Sequence, residues 1–271
     1  MRTLESTPAA DGFRMPAEWH PHDGCLMAWP QNGYVWREGA RPAQRVVAAV
    51  ANAIAETGEP VTVTVAGDQY AHARSRLGDR VRVVETAVWM GWARDIAPTF
   101  VVDGRGRRRG VDFRFNGYGA RYPYWPTDDQ YARKLLDLTG TDRYRTSLVL
   151  EGGGFHVDGA GTCLVTAETL LDPDRNPGAD RAGMEALLRD HLGVTTIIWL
   201  ERGLIDDETR GHVDNLACFA APASCCSPGP TTRTTRSTRA VPRRWSGSAA
   251  PPTPPAGRCA WRSCASLDRC T

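Results

Sequence analysis

Three stretches, ARDIAPTFVVDG (Ala93–Gly104), FHVDGAGTCLVTA (Phe155–Ala167) and GHVDNLACFAAPA (Gly211–Ala223), decide how the fold reads. Each sets polar residues just ahead of an apolar run, and they recur about every 55 to 60 residues, a period at which propellers and solenoids repeat. In such a construction each repeat offers its polar residues to a common centre. Ordinary αβ alternation gives part of the same spacing, so the repeat leaves both constructions open.

The sequence between the three stretches alternates helical and strand patterns. Ala43–Thr57 has a helical period, and PVTVTVA (Pro60–Ala66) alternates as a half-buried strand does. Helices are expected at Asp68–Leu77, Asp128–Leu138 and Ala182–Leu192, the last stopped by Gly193. Strands are expected at Val81–Glu85, Thr99–Asp103, Val111–Phe115, Leu148–Glu151, Thr162–Thr166 and, as a buried strand, Thr195–Leu200. The class is α/β.

The chain has 271 residues, 41% of them apolar, enough for a sizeable core in one or two domains. No apolar run approaches the roughly 20 residues of a membrane helix. Met1–Asp11 does not read as a secretory signal, and a cytoplasmic location is expected. Net charge is +2, but residues 223–271 hold eight Arg against the single acid Asp268, a balance of +7 that leaves Met1–Pro222 at −5. An acidic body suits a cationic partner and argues against nucleic acid. Oligomeric state is left open.

Residues 223–271 lack Ile, Phe, Tyr, Met, Glu, Lys, Gln, Asn and His, so they supply no core and read as a low-complexity basic tail. They also hold Cys225, Cys226, Cys259, Cys264 and Cys270, more thiols than a linker carries, and no CxxC zinc spacing. A reading-frame change in GC-rich DNA accounts for this. GC-rich codons for SCCSPGPTTRTTRST (Ser224–Thr238), reread two bases on, give Leu-Leu-Leu-Ala-Trp-Thr-Asp-Asp-Pro-Asp-Asp-Pro-Gln-Tyr, an apolar strand followed by an acidic loop. Cys25, Cys163 and Cys218 read as packing residues.

Three motifs carry chemistry. In EGGGFHVDG (Glu151–Gly159), successive glycines let the backbone come close to a ligand while Glu151 points into the space they open. In TRGHVDN (Thr209–Asn215), His212 and Asp214 fall on one side of an extended segment, where a carboxylate keeps an imidazole available for proton transfer. In WMGWARDIAP (Trp89–Pro98), Trp92 and Asp95 offer an aromatic face and a carboxylate to a planar cation. Together they suit a guanidinium, which has five N–H donors and accepts nothing. A capping acid, a structural His–Asp pair and core tryptophans are the plain alternatives. A metal hydrolase stays open too, since Glu151, His156, Asp158, His212 and Asp214 can all ligate a divalent ion, though no HExxH or Cys/His spacing supports it.

FRMPAEWHPHDGCLMAWP (Phe13–Pro30), GWARDIAP, EGGGFHVDG and TRGHVDN, in this order, resemble the agmatine deiminase and bacterial-type peptidyl-arginine deiminase family. His20 and Asp23 depart slightly from its pattern. The resemblance implies a five-bladed α/β propeller, the pentein fold, here incomplete: about three modules over residues 13–222, followed by the tail, 223–271, expected to be out of frame and disordered. It implies hydrolysis of agmatine to N-carbamoylputrescine and ammonia, a step towards putrescine, through a cysteine amidino-thioether and without metal or organic cofactor. It implies that Asp95 and Asp214 grip the guanidinium, that Glu151 is a further site carboxylate, that His212 moves protons, and that Trp92 lies against the substrate. The family's nucleophilic cysteine stands in a GGG-x-x-H-C motif near the C-terminus. Nothing after Pro222 resembles it, so no nucleophile is identified and little activity is expected. A peptidyl-arginine substrate and an inactive guanidinium-binding protein are the alternatives.

Overall fold

The alternating run PVTVTVA supplies Val61–Val65, the central strand of a three-stranded sheet that is parallel throughout, flanked by Cys25–Ala28 and Val81–Glu85. The helix Arg41–Glu56 crosses from the first strand to the second. It turns Gln44, Ala48, Ala51 and Ala55 inward at helical spacing, and Pro42 suits its first turn. Three of those four are alanines, so the helix packs closely over Val61, Val63 and Val65. The fourth, buried Gln44, donates to the Pro30 carbonyl at 2.8 Å, which satisfies its amide nitrogen and ties the helix to the end of the first strand.

The computed structural model describes residues 1–227 and 260–263. They form an α/β fold with four separate sheets. A five-stranded sheet runs in the order Thr3–Leu4, Arg143–Val149, Arg108–Arg114, Thr99–Asp103, Phe13–Arg14 and mixes parallel with antiparallel pairs. A third sheet joins Thr162–Thr166 antiparallel to Phe155–Val157 and parallel to Thr196–Leu200. The helix Arg181–Leu192 buries Met184, Leu188 and Leu192 in the same core as Phe155 and Val165. Asp180 caps its start by accepting from Gly183 N–H at 2.8 Å, and Gly193 ends it at φ 66°. A side chain at Gly193 would also strike the backbone of Phe13, with its Cβ 2.8 Å from that carbonyl. In the fourth sheet Cys218–Ala221 pairs antiparallel with Ser224–Ser227, which pairs parallel with Ala260–Ser263.

Several elements depart from the expected bounds for physical reasons. The helix expected from Asp128 begins at Tyr131, after a 3-10 stretch Trp125–Gln130. The Asp128 carboxylate accepts from Trp89 N–H at 2.6 Å and Met90 N–H at 3.1 Å, which draws it out of the helix start. The strand expected at Leu148–Glu151 is Arg143–Val149, so Glu151 lies beyond its end. Thr196–Leu200 is an edge strand with only Leu200 buried, not the buried strand the apolar run suggests. TRGHVDN is not extended either, because Val213–Asn215 closes a 3-10 turn. Ser224–Ser227, at the head of the expected structureless tail, is a strand with Cys225 and Cys226 buried. The rest of the tail apart from Ala260–Ser263 lies outside the described residues.

Candidate functional site

Three single turns meet at one place. Ala93–Ile96 carries Asp95, Gly152–Gly154 follows Glu151, and Val213–Asn215 follows His212 and carries Asp214. The first turn lies against the second and the second against the third. Each precedes an apolar strand; the polar leads of the first and third repeats reach the centre, whereas in the second the centre is met by Glu151 and the glycines just ahead of the repeat.

Gly153 is the pivot of that meeting. A Cβ on it would stand 2.5 Å from His212 Nδ1, 2.6 Å from Asp214 Oδ2 and 3.0 Å from Asp95 Oδ1, and one on Gly152 would collide with the Arg94 carbonyl. The glycines thus allow close approach by the protein's own carboxylates and imidazole. The Gly153 N–H also donates to Asp95 Oδ1 at 3.0 Å.

His212 is almost fully buried, with Nε2 3.4 Å from Glu151 Oε2 and Nδ1 3.7 Å from Asp95 Oδ1. The second distance is that of an ion pair, not a hydrogen bond. Burial alone would lower the imidazole pKa, but Glu151, Asp95 and Asp214 together raise it, so the cationic form is favoured. Glu151 is completely buried, yet the hydrogen bond from His212 and the charge of Arg175 hold its carboxyl below the ordinary value. Asp95 is pushed the other way: burial raises it and outweighs His212 and the 2.7 Å hydrogen bond from Tyr118 Oη. Asp214, although exposed, is also raised, by the partial loss of water around it and against the charges of His212 and Arg94. The site therefore holds two raised carboxyls beside one that is lowered.

Trp92 leads into the turn carrying Asp95 and accepts that residue's N–H at 3.0 Å through its carbonyl. Its half-exposed ring stacks on Trp36 with centroids 4.6 Å apart. The ring beside the imidazole is that of Tyr118, 5.7 Å from His212.

His156 and Asp158 do not join this centre. His156 Nε2 lies 2.9 Å from Glu18, which also pairs with Arg94, and Asp158 caps its own turn by accepting from Ala160 and Thr162 N–H at 2.8 Å each. Among the described residues no group of three or more His, Cys, Asp or Glu is placed to hold a metal ion, so the five ligands considered from sequence do not assemble. Cys163 lies in the core, where burial pushes its thiol well up.

Sequence reasoning missed Tyr118, Glu18 and Arg175. Tyr118 sits between two glycines in a turn and itself adopts φ 58°, and Arg175 lies in DPDRNPG, which reads as an exposed loop. Only the fold shows that Arg175 is buried.

Three turns of this α/β fold thus bring two aspartates, a glutamate and an imidazole to one small space. A family model described as Porphyromonas-type peptidyl-arginine deiminase matches residues 14–241, running past Pro222. The chain is 53% identical over 228 residues to the agmatine deiminase of Ectopseudomonas mendocina, covering 82% of this chain and 62% of that protein. It is 52% identical over the same length, with the same coverage, to an agmatine deiminase of Pseudomonas aeruginosa. The solved agmatine deiminase of Enterococcus faecalis superposes with a TM-score of 0.82 at 39% identity, over 86% of this chain and 65% of that one. The chain belongs to the Porphyromonas-type peptidyl-arginine deiminase family, and it spans 62% of the length of these curated relatives. Among the described residues no helix is long and apolar enough to cross a membrane.

Proposed function

We propose that this chain carries the substrate-holding and proton-moving part of an agmatine deiminase-type site. Asp95 and Asp214 take the guanidinium nitrogens, Glu151 anchors His212, and His212 gives a proton to departing ammonia and takes one from the attacking water. Trp92 flanks the entering chain. The reaction is agmatine plus water to N-carbamoylputrescine plus ammonia. A thiolate bonds to the guanidinium carbon as ammonia leaves, and water then displaces the thiol. No metal or organic cofactor takes part. The observation that carries the reading is the convergence of Asp95, His212 and Asp214 on Gly153, with both aspartates raised above the ordinary carboxylate value.

The finer architecture is proposed with it: residues 13–222 form part of a five-bladed pentein propeller in a cytoplasmic enzyme, and a frame change after Pro222 separates them from a GGG-x-x-H-C segment. No nucleophilic role is assigned to Cys25, Cys163, Cys218, Cys225 or Cys226, and turnover by this chain is accordingly slow. Titration calorimetry with agmatine tests the holding site, and ammonia release tests turnover. Absence of agmatine binding would overturn the reading. Robust turnover abolished by replacing a tail cysteine would overturn the missing nucleophile. Sequencing the gene tests the frame, which must read into GGG-x-x-H-C two bases on from Ser224.

A further inference from the structure

Behind the site a chain of charged groups closes on itself. From His212 it passes to Glu151, and from Glu151 to Arg175, whose Nε lies 3.1 and 3.0 Å from the two carboxylate oxygens. Arg175 Nη1 donates to Asp172 at 2.8 Å, Asp172 accepts from Arg210 Nη2 at 3.0 Å, and Arg210 Nη1 donates to the Gly119 carbonyl at 3.0 Å. The neighbour of Gly119 is Tyr118, whose hydroxyl returns the chain to Asp95 and so to His212. Tyr118 and Arg210 both stand at positive φ, 58° and 60°, a conformation that costs about 1 kcal/mol or more and persists where the surroundings over-determine it. A cavity of about 680 Å³, lined in part by Asp172, Asp207 and Arg210, opens at the back of this ring and not over Asp95 and Asp214.

Arg175 is the member with the most to explain. Its side chain is completely buried, as is that of Glu151. Its Nη2 donates to the Thr209 carbonyl at 2.5 Å, and Thr209 Oγ1 in turn accepts from His212 N–H at 3.3 Å. One guanidinium thus holds both the carboxylate that faces His212 and the loop that carries it. The charged groups facing the imidazole are Glu151, Asp95 and Asp214, with Asp207 further off; those facing Glu151 are His212, Arg175 and, at longer range, Asp95. A buried carboxylate whose only cation is an imidazolium takes the proton itself when the imidazole loses it, and the two then titrate as one unit. A permanent guanidinium on the far side prevents that, because arginine does not deprotonate.

We propose that Arg175 is a positioning residue: it keeps Glu151 an anionic acceptor whether or not His212 carries its proton, and so leaves proton movement to the imidazole alone. The use of that proton rests on the function proposed above, but the electrostatic role does not, and the two fail separately.

The test is nuclear magnetic resonance on the full chain. It follows the Glu151 carboxyl carbon, assigned by its loss in Glu151→Gln, and the His212 ring nitrogens, assigned by their loss in His212→Asn. In the unmodified protein Glu151 is expected to stay ionised from pH 5 to 9 while His212 titrates. In Arg175→Met the Glu151 midpoint is expected to rise by about three pH units, the size that burial imposes on an unpaired carboxyl, and to merge with the His212 step. Arg175→Lys, which restores charge without the fork, is expected to return Glu151 to the ionised form. A Glu151 carboxyl that gains a proton as His212 loses one in the unmodified protein overturns the proposal, even if neither variant folds. So does a folded Arg175→Met protein whose Glu151 stays ionised, which would mark Arg175 as merely structural. Failure to bind agmatine with these titrations as expected would instead sink the function and leave Arg175 its role.

Discussion

Replacing Gly153 by alanine adds one methyl group at the point where the three turns meet, and nothing else need change, because Gly153 does not require a left-handed backbone. The new carbon would stand 2.5 Å from His212 Nδ1 and 2.6 Å from Asp214 Oδ2, against about 3.4 Å or more for ordinary contact. Relief requires the imidazole and the carboxylate each to retreat by close to 1 Å, an over-packing that costs about 1–3 kcal/mol in stability. A retreat of that size breaks the geometry of one charge-assisted hydrogen bond to a guanidinium, a contribution of about 1.5–3 kcal/mol. Agmatine affinity is therefore expected to fall by roughly 10- to 150-fold, while thermal unfolding stays cooperative. Calorimetric titration at pH 8 gives the first number and a melting curve the second. A folded Gly153→Ala protein that binds agmatine as tightly as the parent would refute the placement of the cation between Asp95, His212 and Asp214.

Tyr118→Phe removes the 2.7 Å hydrogen bond to Asp95, which opposes the rise caused by burial. Agmatine binding is expected to weaken by about 1 kcal/mol, and its acid limb to move to higher pH in a calorimetric series. Because Asp95 and Asp214 are both raised and a bound cation would lower them, agmatine binding in mild acid should release protons; equal heats in buffers of different ionisation enthalpy would count against this. Asp128 is buried and pushed up to about 6, so the folded state holds a proton that the unfolded state has lost. Its contribution to stability therefore falls as pH rises from about 4 to about 6, by on the order of 3 kcal/mol. Relative to the parent, Asp128→Asn should gain stability by that order across this window in urea melts at pH 4 and pH 8. Asp180→Ala should cost about 1 kcal/mol through the lost cap, read as a lower melting temperature with unchanged agmatine affinity.

Local pattern carried much of the fold. Strict alternation fixed Val61–Val65 to within a residue at each end, and Gly193 stopped its helix where expected, because both signals act through adjacent residues. The misses came from distant partners. The helix at Tyr131 starts late because Asp128 is held by Trp89 and Met90, some forty positions earlier in the chain. His212 and Asp214 were expected to share a side by strand alternation, yet a 3-10 turn brings them together. Asp95, Glu151, His212 and Asp214 were legible as a group since each stands in a distinctive motif. Arg175 and Tyr118 were not, because nothing near them in sequence marks a residue buried by contacts with other segments.

On the proposed function, the site's charges also bear on which carboxylates would meet a guanidinium. Glu151 is already served by Arg175 and His212, and its low pKa leaves it no need of a further cation. Asp95 and Asp214 remain, both raised and both within 3.0 Å of where a Gly153 Cβ would stand, with Asp95 already taking Tyr118 Oη and Gly153 N–H on its two oxygens. A planar cation with N–H groups along several edges can donate to both at once. On the proposed function, Asp95 and Asp214 would thus be the pair that a guanidinium meets, and Arg175 would keep Glu151 from competing for the same charge.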